Sequence, residues 1–474
     1  MQVFTYSGAR FSPYGDEQRP STSDAADTRG DWLAPRATGP LAAHVSLPGS
    51  KSLTNRELVL AALADSPSLL RRPLHSRDSM LMIEALRSLG VQIDEVPGDG
   101  AYGPDLRITP PAELAGSTAI DCGLAGTVMR FLPPVAALAL GPVAFDGDES
   151  ARRRPMRTTI DSLRALGVDV NDDGRGALPF SLWGTGSVRG GDISIDASAS
   201  SQFVSGLLLA APRFTEGLVL RHTGERLPSM PHIDMTIAAL ADRGVVVDSP
   251  EPGVWVVPAA PIAGRTIDIE PDLSNAAPFL IAAIVAGGTV SVDGWPRVTT
   301  QVGADLETLL LLFGARVYRE GEALVVDGGP GLLGGAVLPG IDLDLSTGGE
   351  LAPAIVALCA LASGPSTITG IGHLRGHETD RLAALAAEIT GLGGHVTELD
   401  DGLAIEPRPL NGGPWHAYED HRMATAGAIV GLAVDGVLVD DIGSTAKTLP
   451  QFVELWSGML DQTATESPRA TGNP

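Results

Sequence analysis

"DSMLMIEALRSLGVQIDEV" (residues 78–96) reads as an amphipathic helix, a glycine stop and then a β-branched strand. The same order recurs in "MRTTIDSLRALGVDVNDD" (156–173), "PHIDMTIAALADRGVVVDSP" (231–250), "VGADLETLLLLFGARVYRE" (302–320) and "TDRLAALAAEITGLGGHVTEL" (379–399). The stopping glycines are Gly90, Gly167, Gly244, Gly314 and Gly394, at intervals of 77, 77, 70 and 80 residues. An upstream half repeats as well. "LALGPVAFDGD", "FTEGLVLRHTGE", "AGGTVSVDGWPR", "ASGPSTITGIGH" and "AVDGVLVDDIGS" each place a helix end, a glycine turn and a strand. The unit is a strand–helix–strand–helix–strand module of about 75 residues, longer than a solenoid period and large enough to be a folding unit. A shortened last copy, "TAKTLPQFVELWSGML" (445–460), brings the count to six. An α/β chain with merely regular helices would not repeat both halves.

Six copies imply two domains of three. The switch falls near "TIDIEPDLSNAAPFLIAAI" (266–284), where a strand meets Asp-Leu-Ser-Asn, a helix-capping run. The expected layout is an inserted domain at 50–269 and a domain made of 34–49 with 270–460. Residues 1–33 and 461–474 are polar and turn-rich and are expected to be disordered.

A chain of 474 residues is long enough for several domains. Hydrophobic residues make up 44% but aromatics only 4%, so the cores must be built from Ala, Val, Leu and Ile. The net charge of −24 argues against a nucleic-acid or anionic-membrane binder. It also makes any local cluster of cations informative. Two cysteines, Cys122 and Cys359, form no disulfide framework and no metal-ligand spacing, which fits a reducing cytoplasm. The start lacks the apolar stretch of a signal peptide, and no apolar run approaches the ~18 residues of a membrane span.

Five stretches place charge at helix starts. "SLPGSKSLTNRELVLAALA" (46–64) carries Lys51, Ser52 and Arg56 where a helix N-terminus disfavours cations unless an anion is present. "CGLAGTVMRFLP" opens a helix at a glycine-rich turn containing Gly126, with Arg130 in its early turns. "ESARRRPMR" holds Arg152, Arg153 and Arg154. "HLRGHETDRLAAL" holds His377, Glu378 and Arg381. "YEDHRMATAGAIVGL" and "GSTAKTLP" supply His421, Arg422 and Lys447. Singly, each is an ordinary solvated helix start, surface run or cap. Together, in a six-unit fold, they describe one anion-attracting cleft in an acidic protein. Ser200, Ser201 and Gln202 in "SASASSQF" and Ser229 in "SMPHID" add hydroxyls and an amide. Glu350 and Glu378 are the candidate acid/base carboxylates. The implied chemistry is metal-free transfer between small phosphorylated or carboxylated metabolites.

"LPGSKSLTNR", "GLAGTVMRFLP", "RRRPM", "SSQFVSGLL", "RGHETDRL", "YEDHRMA" and "STAKTLPQF", in this order, resemble the 3-phosphoshikimate 1-carboxyvinyltransferase (EPSP synthase) family, in its actinobacterial form. The resemblance implies two domains of three βαβαββ units, with the active site in the cleft between them. It implies transfer of the enolpyruvyl group of phosphoenolpyruvate to the 5-hydroxyl of shikimate 3-phosphate, on the route to chorismate and the aromatic amino acids. It further implies no cofactor and a monomer. Carried over by motif, the phosphoenolpyruvate side comprises Lys51, Gly126, Arg154, Arg381, Arg422 and Lys447. The shikimate 3-phosphate side comprises Lys51, Ser52, Arg56, Ser200, Ser201, Gln202, Ser229, Glu350 and His377. Glu378, Glu350 and Lys51 are the expected catalytic groups, with Glu378 moving a proton to and from carbon. Glyphosate is an expected competitor, since Gly126 leaves room for it.

Several positions depart from the commonest family pattern. Leu124 and Glu350 stand where Asn and Asp are frequent. Phe131 stands for Pro, His377 for Lys and His373 for Asn. The alternatives are the related transferase acting on UDP-N-acetylglucosamine, and a non-catalytic binding protein on the same scaffold. Cys122 lies outside the Arg-rich loop where the first would need its cysteine. Retention of Lys51, Glu350, Glu378, Arg422 and Lys447 argues against the second. A nucleotide phosphate loop fails on glycine spacing before Lys51.

Overall fold

The computed structural model describes residues 30–463. Its strands form six small sheets, four of four strands and two of three. One plan recurs. Thr118–Asp121 runs parallel to Leu140–Asp146, which pairs antiparallel with Phe180–Thr185, and that strand with Asp169–Asn171. Asp342–Asp344, Ser366–Thr369, Gly402–Glu406 and His395–Leu399 repeat the order. A parallel first pair requires a crossover, and a helix supplies it.

Two of the four-stranded sheets are completed by strands distant in sequence. Leu41–Val45 lies parallel to Gly288–Val292, and Thr266–Asp268 lies parallel to Ser68–Arg71. There are two hydrophobic cores. One joins Ala34–Leu47 to residues from Leu273 to Met459, and the other spans Leu58 to Ile269. The chain passes between these lobes twice, and the passages are hydrogen-bonded side by side. Ser50 N donates to Glu270 O at 2.8 Å and Asp272 N to Pro48 O at 3.0 Å.

Each lobe packs three central helices against one another. They are Lys51–Ala62, Gly126–Ala136 and Gln202–Ala210 in one, and Ala277–Ala286, Ala352–Ala360 and His421–Ala433 in the other. Every residue of Gly126–Ala136, Ala277–Ala286 and Ala352–Ala360 is buried. A helix apolar on all sides belongs in a core, and the amphipathic helices of the repeats lie outside it. With so few aromatics, the central helices approach closely. A Cβ at Gly206 would sit 2.3 Å from Arg130 O on the neighbouring helix.

The repeat is less regular than the sequence suggests. Residues 302–313 are not one helix but a short α turn, Leu306–Leu309, between 3-10 turns Val302–Asp305 and Leu310–Phe313. After Gly244 the expected strand shrinks to one bridge, Asp248 to Val256. The fifth stop is Gly393, not Gly394. Gly393 adopts φ +96°, the left-handed conformation that a helix C-terminus asks of glycine. The expected disorder of residues 1–33 and 461–474 falls largely outside the described residues. Within them it does not hold, because Trp32–Leu33 pairs antiparallel with Leu438 and Val439. At the other end, the Gln462 side chain accepts from His44 N and Thr463 bridges to Leu41. Backbone pairing there offsets the cost of ordering a polar segment. Among the described residues no helix is long and apolar enough to cross a membrane.

Candidate active site

The N-termini of the central helices carry the site. Lys51 and Ser52 open the first, Gly126 and Thr127 the second, and Ser201 and Gln202 flank the start of the third. Across the cleft, Glu350 immediately precedes Ala352–Ala360, and His421 and Arg422 open the last. Their partial positive charges add over one space. The cleft leaves about 90 Å³ for water-sized molecules, a narrow polar space lined from both lobes. Six cations line it, Lys51, Arg56, Arg130, Arg154, Arg381 and Arg422, against two carboxylates, Glu350 and Glu378. Ser200, Ser201, Gln202, Ser229 and His377 line it too. Gly126 lies beside it, since a Cβ there would fall 3.0 Å from Gln202 Oε1 and 3.1 Å from Arg154 Nη2. Most of the residues singled out from the sequence thus meet at one place; Lys447 reaches it through Glu378, and Arg152 and Arg153 stay outside.

Glu378 is the most heavily paired. Lys447 Nζ donates to its Oε1, and Arg381 Nη2 donates to its Oε2 at 2.9 Å. Arg154 Nη1 lies 3.9 Å away, from the other lobe. Burial pushes the Glu378 carboxyl up, but Lys447, Arg381 and Arg154 outweigh it and hold it well below the usual range. Lys447 is itself pulled down by burial despite Glu378. With three cations facing one carboxylate, the ionised form of Glu378 prevails.

Glu350 accepts from Arg422 Nη2 at 2.9 Å and lies 3.7 Å from His232 Nε2. Burial pushes it up, and Arg422, His232 and Lys51 hold it low. The two carboxylates pair directly with different cations, while Arg381 acts on both.

Arg381 is pinned by Asp420, which accepts from Nε at 2.7 Å and from Nη2 at 3.2 Å, and which also caps the next helix through Arg422 N. Asp420 is fully buried, so breaking this pair would strand a charge in the core. Lys51 answers the question its position raises. Its ammonium lies 3.7 Å from Asp78, a buried carboxylate on the neighbouring helix Arg77–Ser88.

Arg56 is less available than the sequence suggests. It donates to Thr236 Oγ1, Ser52 O and His232 O at 2.8, 2.9 and 2.8 Å, over the Phe131 ring at 5.3 Å. Burial pulls it down to about 9, with Glu350 opposing. Of the arginine run, only Arg154 enters the cleft. Arg152 pairs with Asp146 and Arg153 with Glu149 at the surface. Leu124 packs its side chain into the core and offers its carbonyl to Arg154 and Lys447. Burial pushes the Cys122 thiol far up and the Cys359 thiol to about 12, so both are inert.

The structure adds Asp78, Asp420 and His232 to the neighbourhood, and it places Arg130, His373 and His421 in the cleft wall. Four of the nine histidines line the cleft: His232, His373, His377 and His421. Burial, with nearby cations, lowers all four, His373 to about 4. At pH 7 they are neutral. Arg381 donates to His377 Nδ1 at 3.3 Å, which leaves Nε2 as the protonated nitrogen. Neighbours in the quoted motifs were the available signal for His421, Asp420 and Arg130. Nothing in "SRDS" marks Asp78 as a partner of Lys51.

Residues 35–456 match the family described as EPSP synthase (3-phosphoshikimate 1-carboxyvinyltransferase). A protein of Kocuria rhizophila named 3-phosphoshikimate 1-carboxyvinyltransferase is 58% identical over 435 residues, covering 90% of this chain and 96% of that protein. Among solved structures, an EPSP synthase from Acinetobacter baumannii aligns with TM-score 0.72 at 24% identity, over 90% of this chain and 97% of that one. The enolpyruvyl transferase NikO from Streptomyces tendae aligns with TM-score 0.69 at 18% identity, over 91% and 97%. The structural matches establish the two-domain enolpyruvyl transferase fold. The sequence matches establish more: the chain belongs to the EPSP synthase family.

Proposed function

We propose that the chain transfers the enolpyruvyl group of phosphoenolpyruvate to the 5-hydroxyl of shikimate 3-phosphate and releases phosphate. The observation that carries this reading is a cleft in which six cations surround two carboxylates, each with its own direct partner. Two anionic substrates need that charge, and an addition–elimination needs two proton-transfer groups. In the proposal, Lys51, Gly126, Arg154, Arg381, Arg422 and Lys447 receive the donor. Ser52, Arg56, Ser200, Ser201, Gln202, Ser229, Glu350 and His377 receive the acceptor, with Lys51 between the two. Residues 50–269 form one domain and 34–49 with 270–460 the other. The reading extends to a cytoplasmic monomer that uses no cofactor.

The acceptor hydroxyl oxygen bonds to C2 of the donor, and Glu350 takes its proton. Glu378 gives a proton to the methylene carbon, so a tetrahedral ketal with a methyl group forms. Glu378 then removes a methyl proton as the bond from C2 to the phosphate oxygen breaks, and phosphate leaves with the bonding electrons. Lys51 and the arginines stabilise the charge on the leaving group.

Glu378 is ionised among these cations and must acquire a proton to act first as an acid. The donor supplies the cause. Its carboxylate and phosphate take over the cations that hold Glu378 low, and the loss of that compensation raises its pKa. A phosphate-release assay with both substrates tests the reading. Release that requires both is expected, and none above background would overturn it.

A further inference from the structure

The capping run Asp272-Leu273-Ser274-Asn275 lies where the chain passes back between the lobes, and the mechanism above gives it no task. Its polar atoms are committed in an unusual way. Asp272 is 5% exposed. One oxygen, Oδ2, accepts from Lys51 N at 3.1 Å. The other, Oδ1, accepts from Ser274 Oγ at 2.7 Å and Asn275 N at 3.1 Å. Each of these contacts leads to a cation of the cleft. Ser274 Oγ accepts from Arg422 Nη2 at 3.0 Å. Asn275 Nδ2 donates to Thr448 O at 3.3 Å, and Thr448 Oγ1 donates back to Asn275 Oδ1 at 3.3 Å, next to Lys447. Lys51, Arg422 and Lys447 sit on three elements that share no sequence neighbourhood, and Lys51 lies in the other lobe.

We propose that Asp272 is a positioning residue that sets Lys51, Arg422 and Lys447 relative to one another for the donor. Asp272 N also pairs with Pro48 O in the double passage between the lobes, so the same residue ties this arrangement to the hinge. A capping carboxylate serves its own helix. This one divides its oxygens between the first residue of Lys51–Ala62 in one lobe and the turn that precedes Ala277–Ala286 in the other, and the relay through Ser274 ends on a guanidinium that also holds Glu350. Orientation is costly to lose in such a site, because a small misplacement of a cation removes much of its effect on the transition state.

The inference rests on the proposed reaction, and the wild-type phosphate-release assay separates the two. An inactive wild type removes the reaction, whereas an active one leaves the relay to be judged on variants. Asp272→Asn, Ser274→Ala and the double variant are compared for donor KM, kcat, acceptor Kd by calorimetry, and melting temperature. Ser274→Ala is expected to raise donor KM by about tenfold and leave acceptor Kd within about twofold. Asp272→Asn should raise donor KM further and lower kcat. The double variant should match Asp272→Asn within about twofold, because both changes cut one path. Effects that multiply in the double variant would overturn the relay. So would an unchanged donor KM, or donor and acceptor weakened alike. If Asp272→Asn does not melt cooperatively, Ser274→Ala alone decides through the donor-to-acceptor split, which a merely structural role would not produce.

Discussion

Glu378 shows why a residue's chemistry is not its type alone. It is the counter-ion of Lys447, Arg381 and Arg154. Donor binding should therefore draw a proton into the protein. The sign follows from the direction of the shift: a carboxyl held low when free and raised when the donor is bound takes up protons on binding. Donor affinity should then weaken as pH rises, and calorimetry in buffers of different ionisation enthalpy should show proton uptake near neutral pH. Changing Glu378 to Gln should lower kcat on the order of 10²–10⁴-fold, the usual contribution of a positioned acid or base. Unaltered turnover would remove it from the mechanism. At Gly126 the test is steric. Alanine there would crowd Gln202 Oε1 and the Arg154 guanidinium at 3.0 and 3.1 Å, so donor KM and the glyphosate concentration for half inhibition should both rise.

The central helices are the elements that make the site. Their N-termini gather Lys51, Gly126, Gln202, Glu350 and Arg422, and their closeness depends on small residues. Gly206 carries this argument furthest, because Arg130 O lies 2.3 Å from where its Cβ would be. Backbone cannot yield as a side-chain tip can, so Gly206→Ala should cost about 1–3 kcal/mol as an overpacked core. A lowered melting temperature checks this. The same shift would move Arg130, a lining residue, so activity should fall as well. The element scale is also where the sequence reading was strongest. Amphipathic helices with glycine stops at Gly90, Gly167 and Gly244 stand as read, and Gly314 keeps its place as a stop; the four glycines have φ between +84 and +90°. The reading failed at 302–313, where "LLLLF" fills a helical pattern but the structure alternates 3-10 and α turns. Periodicity reports which face is buried, not which hydrogen-bond pattern closes the turn.

At the scale of the molecule, a chain of net charge −24 surrounds a cationic cleft. Attraction of two anionic substrates should weaken with salt. Raising ionic strength from about 0.05 to about 0.5 M should increase donor KM several-fold with little change in kcat, because screening acts on approach more than on buried pairs. Steady-state kinetics in an inert salt would check it. Sequence alone determined the six-fold repetition, the α/β class and the residue types of an anion-transfer site, because patterns and motifs are local properties of the chain. Tertiary structure decided what those residues face. Lys51 meets Asp78 and Glu378 meets Lys447, across separations of 27 and 69 residues. Arg56 is largely spent on Thr236 and on main-chain carbonyls, and one carboxylate at the hinge joins a helix start in one lobe to the turn before a helix in the other. Such pairings set ionisation and reach. They arise only when the lobes pack, because burial and neighbouring charge belong to positions in space rather than to positions in the chain.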